Sequence, residues 1–497
     1  MTRHGFLSVS VSLLMLTGCM VGPNYKKPDV PPAPTFKESS EGQDGDGWKV
    51  AEPSDTALRG NWWELYADTK LNELEEQVDP SNQTLKEAEA NFRQARAAIR
   101  FNRAAQAPTV AVAPSASAVR SSANQPYFPS SLVNNGSGDL TLPVDLSYEV
   151  DLWGRIRRTV RASREQAQAS AADLETVRLS VHAEVAIDYF EVRSADAQKQ
   201  LLDDTVKAYS DALQLTKYRF EGGVSPKTDV AQAQTQLEQT RVQASDIMVQ
   251  RQQYEHALAS LLGKSPARFH LAPIPINVQA PRLPNIPVTL PSELLERRPD
   301  IAEAERRMAA ANEQIGIAES AYYPTLNLAT AFGVEGTSAS NWLEWPSRFW
   351  AIGASLSQTI FDRGRRRATT DSARAGYDGS VANYRQTVLD AYQQVEDNLV
   401  ALHILNTEST QQRSATASAE ESLQLSQNRY AGGVDTYLQV VIWQTTALTN
   451  ERNDIDIMRR RLEANVLLIK ALGGGWDTSQ LPSAGSARPV PIRRSSP

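Results

Sequence analysis

Two runs of about 65 residues, each free of proline and bounded by glycine, constrain this chain more than any other feature. The first lies between Gly154 and Gly222, the second between Gly364 and Gly432. At about 1.5 Å per residue each predicts a helix of ~100 Å. The flanking sequence repeats with them. Tyr218-Arg219-Phe220-Glu221-Gly222-Gly223-Val224 recurs as Asn428-Arg429-Tyr430-Ala431-Gly432-Gly433-Val434. Trp153-Gly154-Arg155 recurs as Arg363-Gly364-Arg365, and Leu261-Leu262-Gly263 as Ala471-Leu472-Gly473, every match offset by 210 residues. Ala107-Pro108-Thr109 against Tyr323-Pro324-Thr325 is offset by 216, so one loop differs in length. A single spacing shared by several motifs indicates an internal duplication.

Each half reads the same way. The first repeat, 61–270, predicts helices at about 70–106, 155–221 and 225–262, with strands at about 109–120 and 139–152. The second, 291–475, predicts helices at about 292–322, 365–431 and 435–472, with strands at about 325–335 and 350–361. Residues 271–290 read as a linker and 476–497 as a loose tail. Pro108 and Pro324 end the first helix of each half, because proline cannot continue the hydrogen-bond ladder. Gly222-Gly223 and Gly432-Gly433 suit left-handed caps that fold one long helix back on the next. The seam Leu202, Val206, Tyr209, Leu213, Thr216, Phe220 keeps coiled-coil spacing, and so does the helix after the turn.

The strands carry a second constraint. Leu140, Leu142, Val144, Leu146, Tyr148 and Val150 alternate with Thr141, Pro143, Asp145, Ser147 and Glu149, and the second half alternates likewise. Each strand therefore has one apolar and one polar face. That pattern suits a soluble sandwich or a membrane barrel. Spanning length, ~9–11 residues, leans toward the barrel, as do the aromatics Tyr127, Phe128, Trp342, Trp345, Phe349 and Trp350 at loop edges. The smallest membrane barrels use about eight strands. Four strands per chain can span only if several chains share one barrel.

The N-terminus reads as an address. Arg3 and His4 precede an apolar stretch, too short to span, that ends in Leu16-Thr17-Gly18-Cys19. Residues 1–18 resemble a lipoprotein signal peptide and Cys19 the residue that is acylated, with 19–60 an extended lipidated segment. Met20 replaces the Asp that favours inner-membrane retention, which points to the outer membrane. Cys19 is the only cysteine, so no intramolecular disulfide or cysteine zinc site exists. The five His form no H-x-x-x-H pair, and G-x-x-x-x-G-K-[ST] and G-x-S-x-G are absent. No metal or cofactor is expected beyond covalent lipid, and no enzyme. A net charge of -7 argues against nucleic acid as partner.

Specific motifs carry a family resemblance. Leu294-Leu295-Glu296-Arg297-Arg298-Pro299-Asp300-Ile301 with Ala304-Glu305, Val21-Gly22-Pro23-Asn24-Tyr25, Trp62-Trp63, Tyr322-Tyr323-Pro324 and the two Arg-aromatic-x-Gly-Gly-Val turns resemble the TolC/OprM outer-membrane factor family, in its lipoprotein (NodT-like) branch. The resemblance implies a mainly α fold with membrane β. A homotrimer would share a 12-stranded barrel, four strands from each chain, continuous with a periplasmic helical barrel. It also implies an exit duct for small molecules or drugs. The partners would be a periplasmic adaptor and an inner-membrane transporter of the resistance-nodulation-division type.

The resemblance places a gate at the second hairpin. Tyr430 would bond Asp229 of the first hairpin. Two constriction aspartates of some members fall on Gln439 and Ile442, so Asp435 is the candidate in their place; it also suits a helix N-cap. Arg219 and Arg429 are candidates for pairing across the hairpin. Gly154 and Gly364 are candidates for the bend between strand and helix. A type I protein-secretion duct and a non-conducting periplasmic coiled-coil scaffold are the competing readings.

Overall fold

The computed structural model describes residues 20–29, 36–37, 60–120, 122, 136–277, 283–284, 286, 296–476, 479 and 481. Cys19, Tyr127, Phe128, Leu294 and Leu295 lie outside them. In chain order the elements are α1 (Thr69–Glu75), α2 (Val78–Ser81), α3 (Gln83–Ala104), β1 (Thr109–Val112), β2 (Ser115–Val119), β3 (Ser137–Val150), α4 (Arg155–Glu221) and α5 (Lys227–Leu261). Then follow α6 (Pro299–Ser320), β4 (Thr325–Gly336), β5 (Arg348–Ser357), α7 (Arg365–Ala431) and α8 (Tyr437–Ala471). The halves match in length: α4 and α7 have 67 residues each, α5 and α8 have 35 each.

Several boundaries differ from the sequence reading. The helix expected at 70–106 is three helices. Pro80 sits in the short α2, and Asn82 then caps a new helix, its Oδ1 accepting from the Leu85 N–H at 2.9 Å. The strand expected at 109–120 is broken at Ala113-Pro114, where proline offers no N–H to the ladder. Helix α6 starts at Pro299, a position that tolerates a missing N–H. The strand expected at 350–361 covers Arg348–Ser357, leaving Ile360 and Phe361 beyond the ladder.

The sheet order is β1-β3-β4-β5, with β2 also paired to β3, so β1 and β2 occupy one lane. All pairs are antiparallel, and the central β3–β4 ladder joins the two halves. Pro143 lies opposite Gly333, where an added Cβ would come within 2.2 Å of the Leu142 carbonyl oxygen. The register sorts the faces. Val110, Leu146, Thr330 and Ile352 share one row, and Val112, Val144, Phe332 and Trp350 the next. The other face carries rows such as Ala111, Asp145, Ala331 and Ala351. The apolar rows are half-buried at β3 and exposed at β1 and β5; Trp350 and Ile352 keep about three quarters of their surface free, at 76% and 74%. Among the described residues no helix is long and apolar enough to cross a membrane.

The main apolar core lies away from the sheet, where α1–α3 meet the middle of α4 and α7 and the ends of α5 and α8. Trp62, Trp63, Tyr66, Tyr189, Phe190, Leu258, Leu399 and Leu468 are among its members. Ionic groups are buried with it. Arg251 donates from Nε to Asp196 at 2.6 Å, from Nη1 to Glu255 at 2.5 Å and from Nη2 to the Leu271 carbonyl at 2.6 Å. Asp196 and Glu255 accept in turn from the N–H groups of Ile274 and Leu271, which fastens the chain after α5 to α4. Arg298 of the R-R-P-D motif bonds the Ala471 carbonyl at 2.9 Å and Asp300, closing the start of α6 onto the end of α8.

His182 lies stacked on Trp63 at 4.5 Å with its Nδ1 2.7 Å from Glu75 and its Nε2 3.5 Å from Asp79, which Arg178 also contacts. Burial pushes the Glu75 carboxyl up to about 7, against the pull of His182. Burial opposes the imidazolium, but Asp79 and Glu75 together hold the His182 proton more tightly than usual. Both shifts are upward. The stability they contribute is therefore complete in acid and fades as pH rises through about 7. We expect the unfolding midpoint to fall between about pH 5 and pH 8, and Glu75→Gln to flatten that slope. An unchanged slope in the variant would show that Glu75 is not its source.

Candidate functional site

The long helices of each half end in the same turn. Val224 N–H donates to the Arg219 carbonyl at 2.8 Å and Gly223 N–H to the Phe220 carbonyl at 2.9 Å; Val434 and Gly433 repeat this on Arg429 and Tyr430 at 2.9 and 3.0 Å. This is a Schellman closure, and it requires a left-handed residue at its C′ position. Gly223 and Gly433 have φ of 71° and 74°. Gly222 and Gly432 precede them as helix caps with ordinary φ.

The two tips are fastened to each other by a compact set of side chains. The Arg219 guanidinium lies 4.6 Å above the centre of the Tyr430 ring and donates to the Ala431 carbonyl at 3.1 Å. Its Nε also reaches Ser225 Oγ at 3.4 Å. The Tyr430 hydroxyl is 3.2 Å from Ser225 Oγ and 3.5 Å from Asp229 Oδ2, so the serine contact is the closer. Below, Tyr430 meets Tyr437 edge to face at 5.2 Å, over a small core with Tyr209, Leu213, Leu237 and Val440. Burial pushes the Tyr209 and Tyr437 phenols up to about 12, so both stay neutral.

Arg429 and Asp435 stand apart from this set. Arg429 Nε donates to Asp435 at 3.2 Å across its own turn, and Asp435 Oδ1 accepts from the Thr436 N–H. Thr436, not Asp435, is the N-cap residue of α8. Within one chain, then, the structure brings Arg219, Asp229 and Tyr430 together and leaves Asp435 with Arg429. Ser225 and Tyr437 were missed by sequence reasoning. Tyr437 opens α8 just after the turn, on a different helix from Tyr430, so no helical spacing links the two in the sequence, and nothing local marks Ser225.

At the opposite end Gly154 and Gly364 open α4 and α7 with φ of 80° and 84°. Asp151 and Asp362 stand in for the missing caps by accepting N–H groups of the first turn. Trp153 stacks on Tyr323 at 4.6 Å and donates to the Pro324 carbonyl at 2.8 Å, tying the two halves at the junction. The segment after Cys19 docks there too. Val21 N–H donates to the Trp153 carbonyl, and Arg158, buried and paired with Glu313 at 2.8 Å, donates from Nε to the Val21 carbonyl at 2.6 Å. Tyr25 donates to Glu305 at 2.7 Å. Among the described residues no group of His, Cys, Asp and Glu is placed to hold a metal ion.

An apolar-faced sheet joined to paired helices of such length, with their tips fastened to each other, suits a membrane channel with a long helical extension. The chain belongs to the outer membrane efflux protein family, whose sequence profile matches residues 76–264 and 290–474. It is 32% identical to the outer membrane protein OprJ of Pseudomonas aeruginosa, over 96% of this chain and 97% of that one. It is also 32% identical to the toluene efflux pump outer membrane protein TtgF of Pseudomonas putida, over 95% and 97%. The solved outer-membrane channel OprN superposes with a TM-score of 0.84 at 27% identity, over 92% of this chain and all of that one. The chain is thus an outer-membrane exit duct of an efflux pump, and its long helices extend into the periplasm.

Proposed function

We propose that three copies of this chain share one 12-stranded barrel continuous with a helical tunnel, each half of the chain being a copy of one ancestral unit. The carrying observation is the sheet. Its apolar rows run across every strand lane, and the outer edges of β1 and β5 have no strand partner among the described residues. An edge in lipid leaves unpaired N–H and C=O groups at several kcal/mol each, and four lanes fall short of the roughly eight needed to close. Neighbouring copies satisfy both demands. Cys19 carries the lipid, and the docked residues 20–25 hold it beside the strand ends. The duct is passive, and it joins a periplasmic adaptor and an energised inner-membrane transporter of the resistance-nodulation-division type to the exterior. Its cargo is small molecules or drugs.

The gate is the fastened hairpin tips, with Tyr430 and Asp229 in the interhelical set and Asp435 nearest the axis. Single-channel conductance in planar bilayers tests this, with wild type beside Asp435→Ala and Tyr430→Phe. A small, mostly closed conductance that rises in the variants is expected. Inserted trimers that never conduct, in wild type and variants alike, would sink the duct reading. A pore open from the start and indifferent to both changes would discard the gate.

A further inference from the structure

The two strand-to-helix junctions occupy matched places but are charged differently. In the first, Arg155 is bound to Glu149 through two hydrogen bonds, at 2.9 and 2.6 Å, Arg157 to Asp151 at 3.1 Å and Arg158 to Glu313 at 2.8 Å. Every one of these arginines is neutralised from within the chain. In the second, the positions 210 residues after Glu149 and Asp151 hold Thr359 and Phe361. Asp362, which also caps the first turn of α7, pairs with the guanidinium of Arg366 at 2.7 Å. Arg363 and Arg365 are exposed, and their side chains meet no acceptor among the described residues. Arg367 is 86% exposed and only loosely paired, 3.9 Å from Asp371.

This surplus sits at a particular level. Leu356, Ile360 and Phe361, all exposed, lead directly into it from the sheet. Beside it a cleft is lined by Val21, Tyr322, Tyr323, Thr370, Arg367 and Arg374, with Glu319 held by Arg374 at 2.9 Å and Asp371 at the rim. Arg366 lies 5.5 Å over the Tyr322 ring. Cations at the first turn of a helix oppose its dipole, so the arrangement costs stability unless an anion offsets it. Apolar strand ends above, tyrosines at the boundary and unneutralised guanidinium groups below match a phospholipid: acyl chains, interface, phosphate.

We propose that these unneutralised arginines, Arg367 at the Tyr322–Tyr323 cleft and Arg363 and Arg365 on the exposed surface near it, hold the phosphates of anionic phospholipids in the periplasmic leaflet. The inference rests on the membrane-spanning reading of the sheet. It gives the duplicated junctions different work. The first is closed by its own carboxylates and by the docked N-terminal segment, and the second is completed by lipid.

The test uses the full-length protein reconstituted in phosphatidylcholine vesicles containing phosphatidylglycerol, then extracted gently and weighed by native mass spectrometry. Wild type should retain phosphatidylglycerol in preference to phosphatidylcholine. The triple variant Arg363→Gln, Arg365→Gln, Arg367→Gln should lose at least about tenfold of that retention, given roughly 1 kcal/mol per arginine at an anionic surface. The double variant Thr359→Glu, Phe361→Asp keeps every arginine but supplies the carboxylates of the first junction, and should lose retention as well. Arg155→Gln should not. Equal retention of both lipids, or an unchanged triple variant, overturns the proposal. So does a triple variant that no longer oligomerises while wild type does, because the arginines would then seal contacts between copies. Binding of inorganic phosphate without lipid retention would overturn the lipid assignment. Failure of the spanning reading looks different: no form of the protein would insert into vesicles at all.

Discussion

Arg251→Met should destabilise the folded chain by about 3–5 kcal/mol, the range for removing one partner of a buried ionic group. Arg251, Asp196 and Glu255 are each at least 96% buried, and the arginine is the only cation that touches both carboxylates among the described residues. Without it the two carboxylates remain in the core with the backbone N–H groups of Ile274 and Leu271 and, for Glu255, the exposed His270 ring at 3.1 Å. The measurement is chemical denaturation in detergent followed by far-UV circular dichroism. A companion variant with Arg251→Met, Asp196→Asn and Glu255→Gln together should recover a large part of the loss, since it leaves no buried charge. A single variant within about 0.5 kcal/mol of wild type, the scale of surface changes, would show that water reaches the network.

The second large effect is expected at the tips. Arg219→Ala combined with Tyr430→Ala removes the stacked cation, the Ala431 hydrogen bond and the Ser225 and Asp229 contacts at once. A cation–π pair contributes about 0.5–2 kcal/mol and each hydrogen bond about 0.5–1.5. At least about 2 kcal/mol per chain follows, or roughly a thirtyfold shift toward the open form. Tyr430→Phe keeps the ring beneath Arg219 and should open far less. If the two variants conduct alike, the hydroxyl contacts hold the tips and the stacked cation does not. Antibiotic susceptibility of cells carrying the double variant gives an independent reading, because a leaking duct admits what a closed one excludes.

The large architecture was legible because its signals are local and repeated. Proline-free runs, glycine pairs and two-residue alternation each state a backbone preference that tertiary contacts reinforce. The break of the first helix was also written in the sequence. Pro80 and the Asn82 cap announce it, and the apolar periodicity concealed it. The contacts that build the sites were less visible. Arg158 meets Val21 across 137 positions and Ser225 meets Tyr430 across 205, and neither member of either pair is unusual in its own neighbourhood. The family resemblance named Tyr430 and Asp229, yet it did not foretell that serine stands closer to the phenol. Arginines crowd both junctions in the sequence, Arg155, Arg157 and Arg158 in the first and Arg365, Arg366 and Arg367 in the second, and only the side-chain geometry shows that the first set is satisfied internally and the second is not.

The equal lengths of the paired helices carry a consequence for how such a chain can change. Helices α4 and α7, 67 residues each, set how far each tip stands from the sheet, and α5 and α8, 35 residues each, return about half of that distance. An insertion of one heptad in α4 alone would lower one tip by ~10 Å against the other and pull Arg219 off Tyr430. The depth of the duct is recorded twice in one polypeptide. A lineage that needs a longer or shorter reach must therefore make the same edit in both records, which makes the length of this protein harder to alter than its surface.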